Sequence, residues 1–235
     1  MVSLWSIDTG KGIRSDQVPE SYLVRRAIKP GELLYVGRHS IVLRPVANPT
    51  GPLPIRAFAN LGAKSEPLAI SPDQSKVLIG RSINQVYPSG RAGITAATYK
   101  HLLDAISLDG NEDIPLQPFE KQVTRCAWSP NGHDLAIACR DEKKVYFRDL
   151  SRSQMKIAKG GHKGTIQDLA FSPDGRHLVS VAVDGKLLIW DAMTKRPIAE
   201  VDEGSDRRLV SVDFAPNGRY LATGSAGKTD NSAIV

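Results

Sequence analysis

The chain has 235 residues, 41% hydrophobic and 24% charged, a balance that fits an ordinary globular protein and argues against a disordered one. Nothing in it approaches the ~18 uninterrupted apolar residues of a membrane-spanning helix, and Met1-Val2-Ser3-Leu4-Trp5 lacks the basic start and apolar stretch of a secretory leader, so a soluble cytoplasmic protein is expected. The net charge of +6 favours encounter with anionic surfaces, but the pairs Arg25-Arg26, Lys143-Lys144 and Arg207-Arg208 are dispersed and aromatics make up only 6%, which leaves nucleic acid a secondary expectation.

Along the chain, residues 2–10 read first as a strand and a turn, ending at Gly10. A recurring unit follows: an apolar run, a tight turn built on proline with Asp, Asn or Gly, and a second apolar run, which is the pattern of an antiparallel hairpin. It is strongest as CAWSPNGHDL at 126–135, LAFSPDGRHL at 169–178 and VDFAPNGRYL at 212–221, and weaker as RAIKPGELL at 26–34 and LAISPDQSKV at 68–77. The marker prolines, Pro30, Pro72, Pro130, Pro173 and Pro216, are 42, 58, 43 and 43 residues apart. A period of roughly 40–45 residues with almost no helical periodicity is that of a four-stranded β-propeller blade, so the class is all-β.

The segment from Gly161-His162 to Trp190-Asp191 resembles a WD repeat. It has the Gly-His pair, strands around Ile166–Phe171 and His177–Val181, the Ser172-Pro173-Asp174-Gly175 turn, Asp184-Gly185 and the closing Trp-Asp. In the repeat around Pro130 the pattern weakens, with Phe147-Arg148 where Trp-Asp is expected and Pro118-Phe119 where Gly-His is expected. The resemblance implies a β-propeller of about five repeats. Residues 1–19 would be the third and fourth strands of a blade, with repeats at about 20–58, 59–118, 119–160, 161–204 and 205–235 in a single domain spanning 1–235. The N-terminal strands could complete the blade begun by residues 205–235 and close a ring; alternatively the chain is part of a longer array.

His162, Ser180, Asp184 and Trp190 stand at the positions where the WD family ties the strands of a blade together through buried hydrogen bonds. Read without the family, a Ser, a His and an Asp invite a hydrolase. However, Ser180 lies in a regular strand with no nucleophile-elbow glycines around it. No catalytic residue, cofactor or metal is expected. His39, His101, His133 and His177 are scattered, Asp73, Asp134 and Asp174 belong to or flank turns, and Cys126 and Cys139 sit in apolar strands without ligand spacing.

The long interval between Pro72 and Pro130 is where the repeats depart from regularity. Its excess falls between the second and third strands, in a loop over residues 81–100; a second expansion runs from Gly224 to Asn231. Loops on a rigid framework commonly carry recognition. Arg81, Tyr87, Arg91, Tyr99 and Lys100 from the long loop, with Lys163, Thr165 and Arg207 from inter-blade connections of the same face, are the candidate partner-binding residues. The expected function is a non-catalytic platform for a protein or peptide. The alternatives are a basic propeller that binds nucleic acid, and an enzyme or small-ligand binder using the central channel.

Overall fold

The computed structural model describes strands alone over residues 2–57, and strands with their connections over 64–88, 95–108, 114–158, 160–204, 206–227 and 233–234. Every described element is a strand or a turn. β1 (Val2–Trp5) pairs with β2 (Gly12–Asp16) in a two-stranded sheet. Four-stranded meanders follow: β3 (Leu23–Ala27), β4 (Glu32–Val36), β5 (Ser40–Pro45) and β6 (Leu53–Ala57); then β7 (Lys64–Ile70), β8 (Lys76–Pro88), β9 (Thr95–Ser107) and β10 (Ile114–Phe119). The next two are β11 (Val123–Trp128), β12 (Asp134–Cys139), β13 (Tyr146–Asp149) and β14 (Gln154–Ile157); then β15 (Ile166–Phe171), β16 (His177–Ala182), β17 (Lys186–Asp191) and β18 (Arg196–Asp202). A three-stranded sheet of β19 (Arg207–Phe214), β20 (Leu221–Gly227) and β21 (Ala233–Ile234) ends the series.

The four sheets from β7 to β21 are blades that stack face to face. First strands are neighbours: β11 packs against β7 on one side and β15 on the other, and β15 packs against β19. Second strands lie deepest, so Leu135–Cys139 and Leu178–Ala182 are buried at every residue, on both faces of their sheets. That explains why these strands read as continuous apolar runs instead of alternating ones. The outer strand β18 is exposed throughout. Between the blades, Val145 and Phe147 of one sheet meet Ile166, Leu169, Leu178 and Trp190 of the next, and Val179, Val181 and Leu187 meet Leu209 and Val212 beyond.

The proline turns are equivalent in backbone geometry. Gln74, Gly132, Gly175 and Gly218 each donate to the carbonyl three residues back, at 2.8–2.9 Å, and have φ of 59°, 75°, 71° and 68°. This left-handed conformation is the reason three of the four are glycine. The hydroxyls of Ser71, Ser129 and Ser172 accept the N–H of Lys76, Asp134 and His177 at 2.9–3.0 Å and donate to Asp73, Asn131 and Asp174. The Ser71 hydroxyl, with the Ser75 amide and hydroxyl, holds the Asp73 carboxyl at a pKa of about 2. Ala215 keeps the backbone turn without a hydroxyl.

In such a meander the turns from first to second and from third to fourth strand share one face. The connections from second to third strand, and from each blade to the next, share the other. Among the candidate partner-binding residues that the structure describes, Tyr99, Lys100, Lys163 and Thr165 stand at the second face.

Candidate functional site on the hairpin-bearing face

Within the blade of β15–β18 a chain of hydrogen bonds links two strands, the turn between them and the connection that precedes the blade. Trp190 Nε1 donates to Ser180 Oγ at 2.8 Å, and Ser180 Oγ lies 2.7 Å from His162 Nε2. His162 Nδ1 lies 3.3 Å from Asp184 Oδ1. One tautomer satisfies every member: the serine hydroxyl donates to Nε2, and Nδ1–H donates to the carboxylate. Asp184 also accepts the amides of Lys163, Gly164 and Lys186 at 2.6, 3.0 and 3.2 Å, and thereby pins the inter-blade connection to the β16–β17 turn.

The electrostatics are those of a buried neutral imidazole beside an ionised, amide-bonded carboxylate. Desolvation lowers the His162 pKa more than Asp184 raises it, so the ring is neutral near pH 7. Burial alone would raise Asp184, but the amides of Lys163 and Gly164 and the nearby imidazole carry its pKa below the usual value. Ser180 is completely buried and already bonded to both His162 and Trp190. Its oxygen is enclosed and bonded on both sides, and the trio ties the strands of the blade together. Gly185 completes the turn at φ 76°, and a Cβ there would lie 2.1 Å from the Gly204 carbonyl oxygen.

The register revises the alignment of the preceding blade. Leu178 faces Trp190 and His177 faces Asp191, whereas Leu135 faces Arg148 and Asp134 faces Asp149. Arg148-Asp149, not Phe147-Arg148, therefore stands where Trp190-Asp191 stands, and Ile137 replaces Ser180. In place of the polar chain this blade has an apolar contact, with Cys126 opposite Ile137 and both cysteines free and buried.

The expected loop over residues 81–100 is largely a hairpin. β8 and β9 pair continuously from Lys76 with Ser107 to Pro88 with Thr95, beyond the last pairings with β7 at Ser82 and with β10 at His101. Ile, Val, Tyr and Thr at 83–99 favour extended backbone, which explains why the inserted residues prolong the strands. Arg81 forms an ion pair with the buried Asp104 carboxylate, so its guanidinium is engaged within the blade. Tyr99 is 62% exposed and stacks on His101, whose Nδ1 is 2.9 Å from the Ser82 hydroxyl; Lys100 is exposed. Tyr87 lies in β8, its side chain outside the described residues, as is the whole of Arg91.

Lys163 is exposed, Thr165 half-buried and Arg207 half-buried at the start of β19. Thr165 lines a cleft of about 270 Å³ with Thr124, Arg125, Arg140, Asp141, Ile166 and Gln167, between the blades of β11–β14 and β15–β18. The two arginines escaped the sequence reading because they stand apart in the chain and only the pairing of β11 with β12, Val123 opposite Cys139, brings them together. A larger concavity, about 750 Å³, opens on the opposite face and is lined by turn residues including Asp149, Asp174 and Asp191. These carboxylates are engaged by the amides of Ser151, Arg176 and Met193 at 2.9–3.1 Å, as turn formers.

Among the described residues no helix is long and apolar enough to cross a membrane, and no group of three or more His, Cys, Asp or Glu could hold a metal.

Residues 154–191 and 197–234 match the WD40 family, described as WD domain, G-beta repeat. A stretch of 53 residues, 23% of the chain, is 38% identical to the U5 small nuclear ribonucleoprotein 40 kDa protein of Homo sapiens, covering 15% of that protein. The Bos taurus and Mus musculus forms match equally, with 14% of each covered. Among solved structures, a chain of the Crystal Structure of Mitotic Checkpoint Complex superposes with a TM-score of 0.62 at 16% identity, over 97% of this chain and 66% of that one, a likeness of fold alone. Residues 154–234 thus carry WD40 repeats, within a chain of stacked antiparallel blades that has the β-propeller fold.

Proposed function

We propose that the protein is a non-catalytic binding platform that engages another protein through the face carrying the β8–β9 hairpin. The observation behind this reading is the hairpin itself. In the blades of β11–β14 and β15–β18 the second and third strands are joined by the short stretches 140–145 and 183–185, whereas the residues from Ile83 to Lys100 extend past every other strand of their sheet. Their presence is not required for stacking, since the core of that blade consists of Leu78, Leu103, Ala105 and Leu116 below them. WD40 repeats generally mediate protein–protein contact, and the names of the similar proteins describe a ribonucleoprotein component and a checkpoint complex, both assemblies. The saturated, buried Ser180 supports the non-catalytic part of the proposal. Cytoplasmic residence, expected from the sequence, remains part of the proposal alone.

The test replaces Ile83–Lys100 with an Asn-Gly turn, which keeps Ser82 and His101 in the blade. The shortened protein is expected to retain its strand content and unfolding temperature while losing the partners that the intact chain captures. Retention of every partner would overturn the reading.

A further inference from the structure

The cleft between the blades of β11–β14 and β15–β18 lies on the same face as the hairpin. Its walls are the starts of two first strands, Thr124-Arg125 and Thr165-Ile166-Gln167, and the β12–β13 connection at Arg140-Asp141. Two guanidinium groups thus border a space of about 270 Å³ with a single carboxylate, Asp141, among the lining residues. That space lies just below the roughly 300–1,000 Å³ of a typical small-molecule site and has room for a partner's side chain.

Neither arginine is well compensated by the fold. Arg125 is half exposed and donates from Nη1 to the Thr124 carbonyl at 2.8 Å. Its nearest carboxylate oxygen, Asp168 Oδ1, is 3.9 Å from Nε, beyond hydrogen-bond reach. The other Asp168 oxygen accepts the Val212 amide at 3.1 Å, and burial pushes that carboxyl's pKa up. Asp168 is therefore turned toward the next blade. Arg140 is exposed, and among the described residues it makes no ion pair within 4.0 Å; its backbone N–H is held by the Gln122 carbonyl at 2.7 Å. The positive field reaches the hairpin base, where burial first, and then Arg140 and Lys121, lower the pKa of the His101 ring. The Gln167 side-chain amide, near the Thr165 carbonyl at 3.5 Å, adds a neutral donor at the cleft wall.

We infer that this cleft takes an Asp or Glu side chain from an acidic, extended segment of a protein partner, with the carboxylate seated between Arg125 and Arg140. Charge complementarity selects this occupant. Arg125 and Arg140 stand on the β11–β14 wall with Asp141 the single carboxylate among the lining residues, and guanidiniums pair with a carboxylate through parallel N–H donors. The inference rests on the protein-binding reading above and specifies the chemistry of the partner.

The test uses the full chain and a fluorescein-labelled dodecapeptide alternating Glu with Gly and Ser, read by fluorescence anisotropy. The same peptide with Gln in place of Glu is the neutral probe. The acidic peptide is expected to bind and the neutral one not to. Arg125→Gln with Arg140→Gln should weaken binding by about tenfold or more, while Lys143→Gln with Lys144→Gln, on the same connection, should change it by less than about twofold. Equal binding of the two peptides, or equal loss with the lysine variant, would overturn the cleft assignment in favour of diffuse charge. Displacement of the peptide by a short single-stranded oligonucleotide at equal concentration would overturn it in favour of a polyanion surface. Failure here, with hairpin-dependent capture intact, removes the cleft alone; acidic-peptide binding that survives a hairpin deletion without effect on partners removes the hairpin reading alone.

Discussion

Arg148 occupies in one blade the position that Trp190 occupies in the next: each lies across the sheet from a fully buried leucine, Leu135 and Leu178 respectively. Trp190 finds the Ser180 hydroxyl, whereas the buried Arg148 has Nε and Nη1 without a hydrogen-bond acceptor among the described residues. A desolvated guanidinium with unfilled donors is unfavourable. Arg148→Leu is therefore expected to raise stability by about 1–3 kcal/mol in chemical denaturation. Trp190→Leu, at the equivalent place, is expected to lower it by about 2 kcal/mol or more, since it empties volume and orphans Ser180. A destabilising Arg148→Leu would show that the guanidinium is satisfied.

Ser180→Ala leaves the indole N–H and the imidazole Nε2 unpaired inside the blade. Its expected cost is about 1–3 kcal/mol, and His162→Ala should cost a similar amount. The two losses should be far from additive, because both changes break one chain. Thermal unfolding of both single variants and the double variant measures this. An unchanged melting temperature accompanied by loss of a hydrolytic activity would restore the catalytic interpretation.

The same chain sets a pH dependence. The His162 pKa is depressed in the folded state, chiefly by burial, so the unfolded chain binds the proton more readily. The histidine's contribution is thus fully present above its unfolded value of about 6.5 and is lost as pH falls below it, toward the folded pKa. Stability should decline on acidification through that window, and His162→Gln should flatten the slope there. Urea titrations at closely spaced pH values give the comparison.

Much of the architecture was legible in the sequence because the turn chemistry is strict. A left-handed position after Ser-Pro-Asp or Ser-Pro-Asn calls for glycine, and the copies at Gly132, Gly175 and Gly218 satisfy it, so the period could be counted. The inserted segment was legible as an excess of residues but not as a hairpin, since strand pairing between Ile83 and Lys100 depends on a register that no motif marks. Arg81 looked like a surface group because its partner, Asp104, lies on the facing strand and was not flanked by any recognisable pattern. The Phe147-Arg148 alignment failed by one residue because only the opposing strand, through Leu135, fixes which side chain takes the tryptophan place.

Gln74 departs from the turn rule. It adopts φ 59° where the other repeats place glycine, and a side chain in that region costs about 1–2 kcal/mol. Gln74→Gly is expected to stabilise the protein by about 1 kcal/mol or less, after the added flexibility of the unfolded chain is subtracted. Equilibrium unfolding checks it, and a loss of stability would mean that the glutamine side chain makes a compensating contact.

The central claim concerns which face meets the partner, and site-specific photo-crosslinking tests it most directly. Tyr99, 62% exposed on the hairpin-bearing face, and Met193, 86% exposed in a turn on the opposite face, are each replaced by a photoreactive residue in otherwise intact protein. On irradiation in cell extract, the position-99 protein is expected to form a discrete adduct with a partner that the position-193 protein does not capture. A discrete adduct from position 193 with none from position 99 would contradict the account and move the binding surface to the other end of the blades.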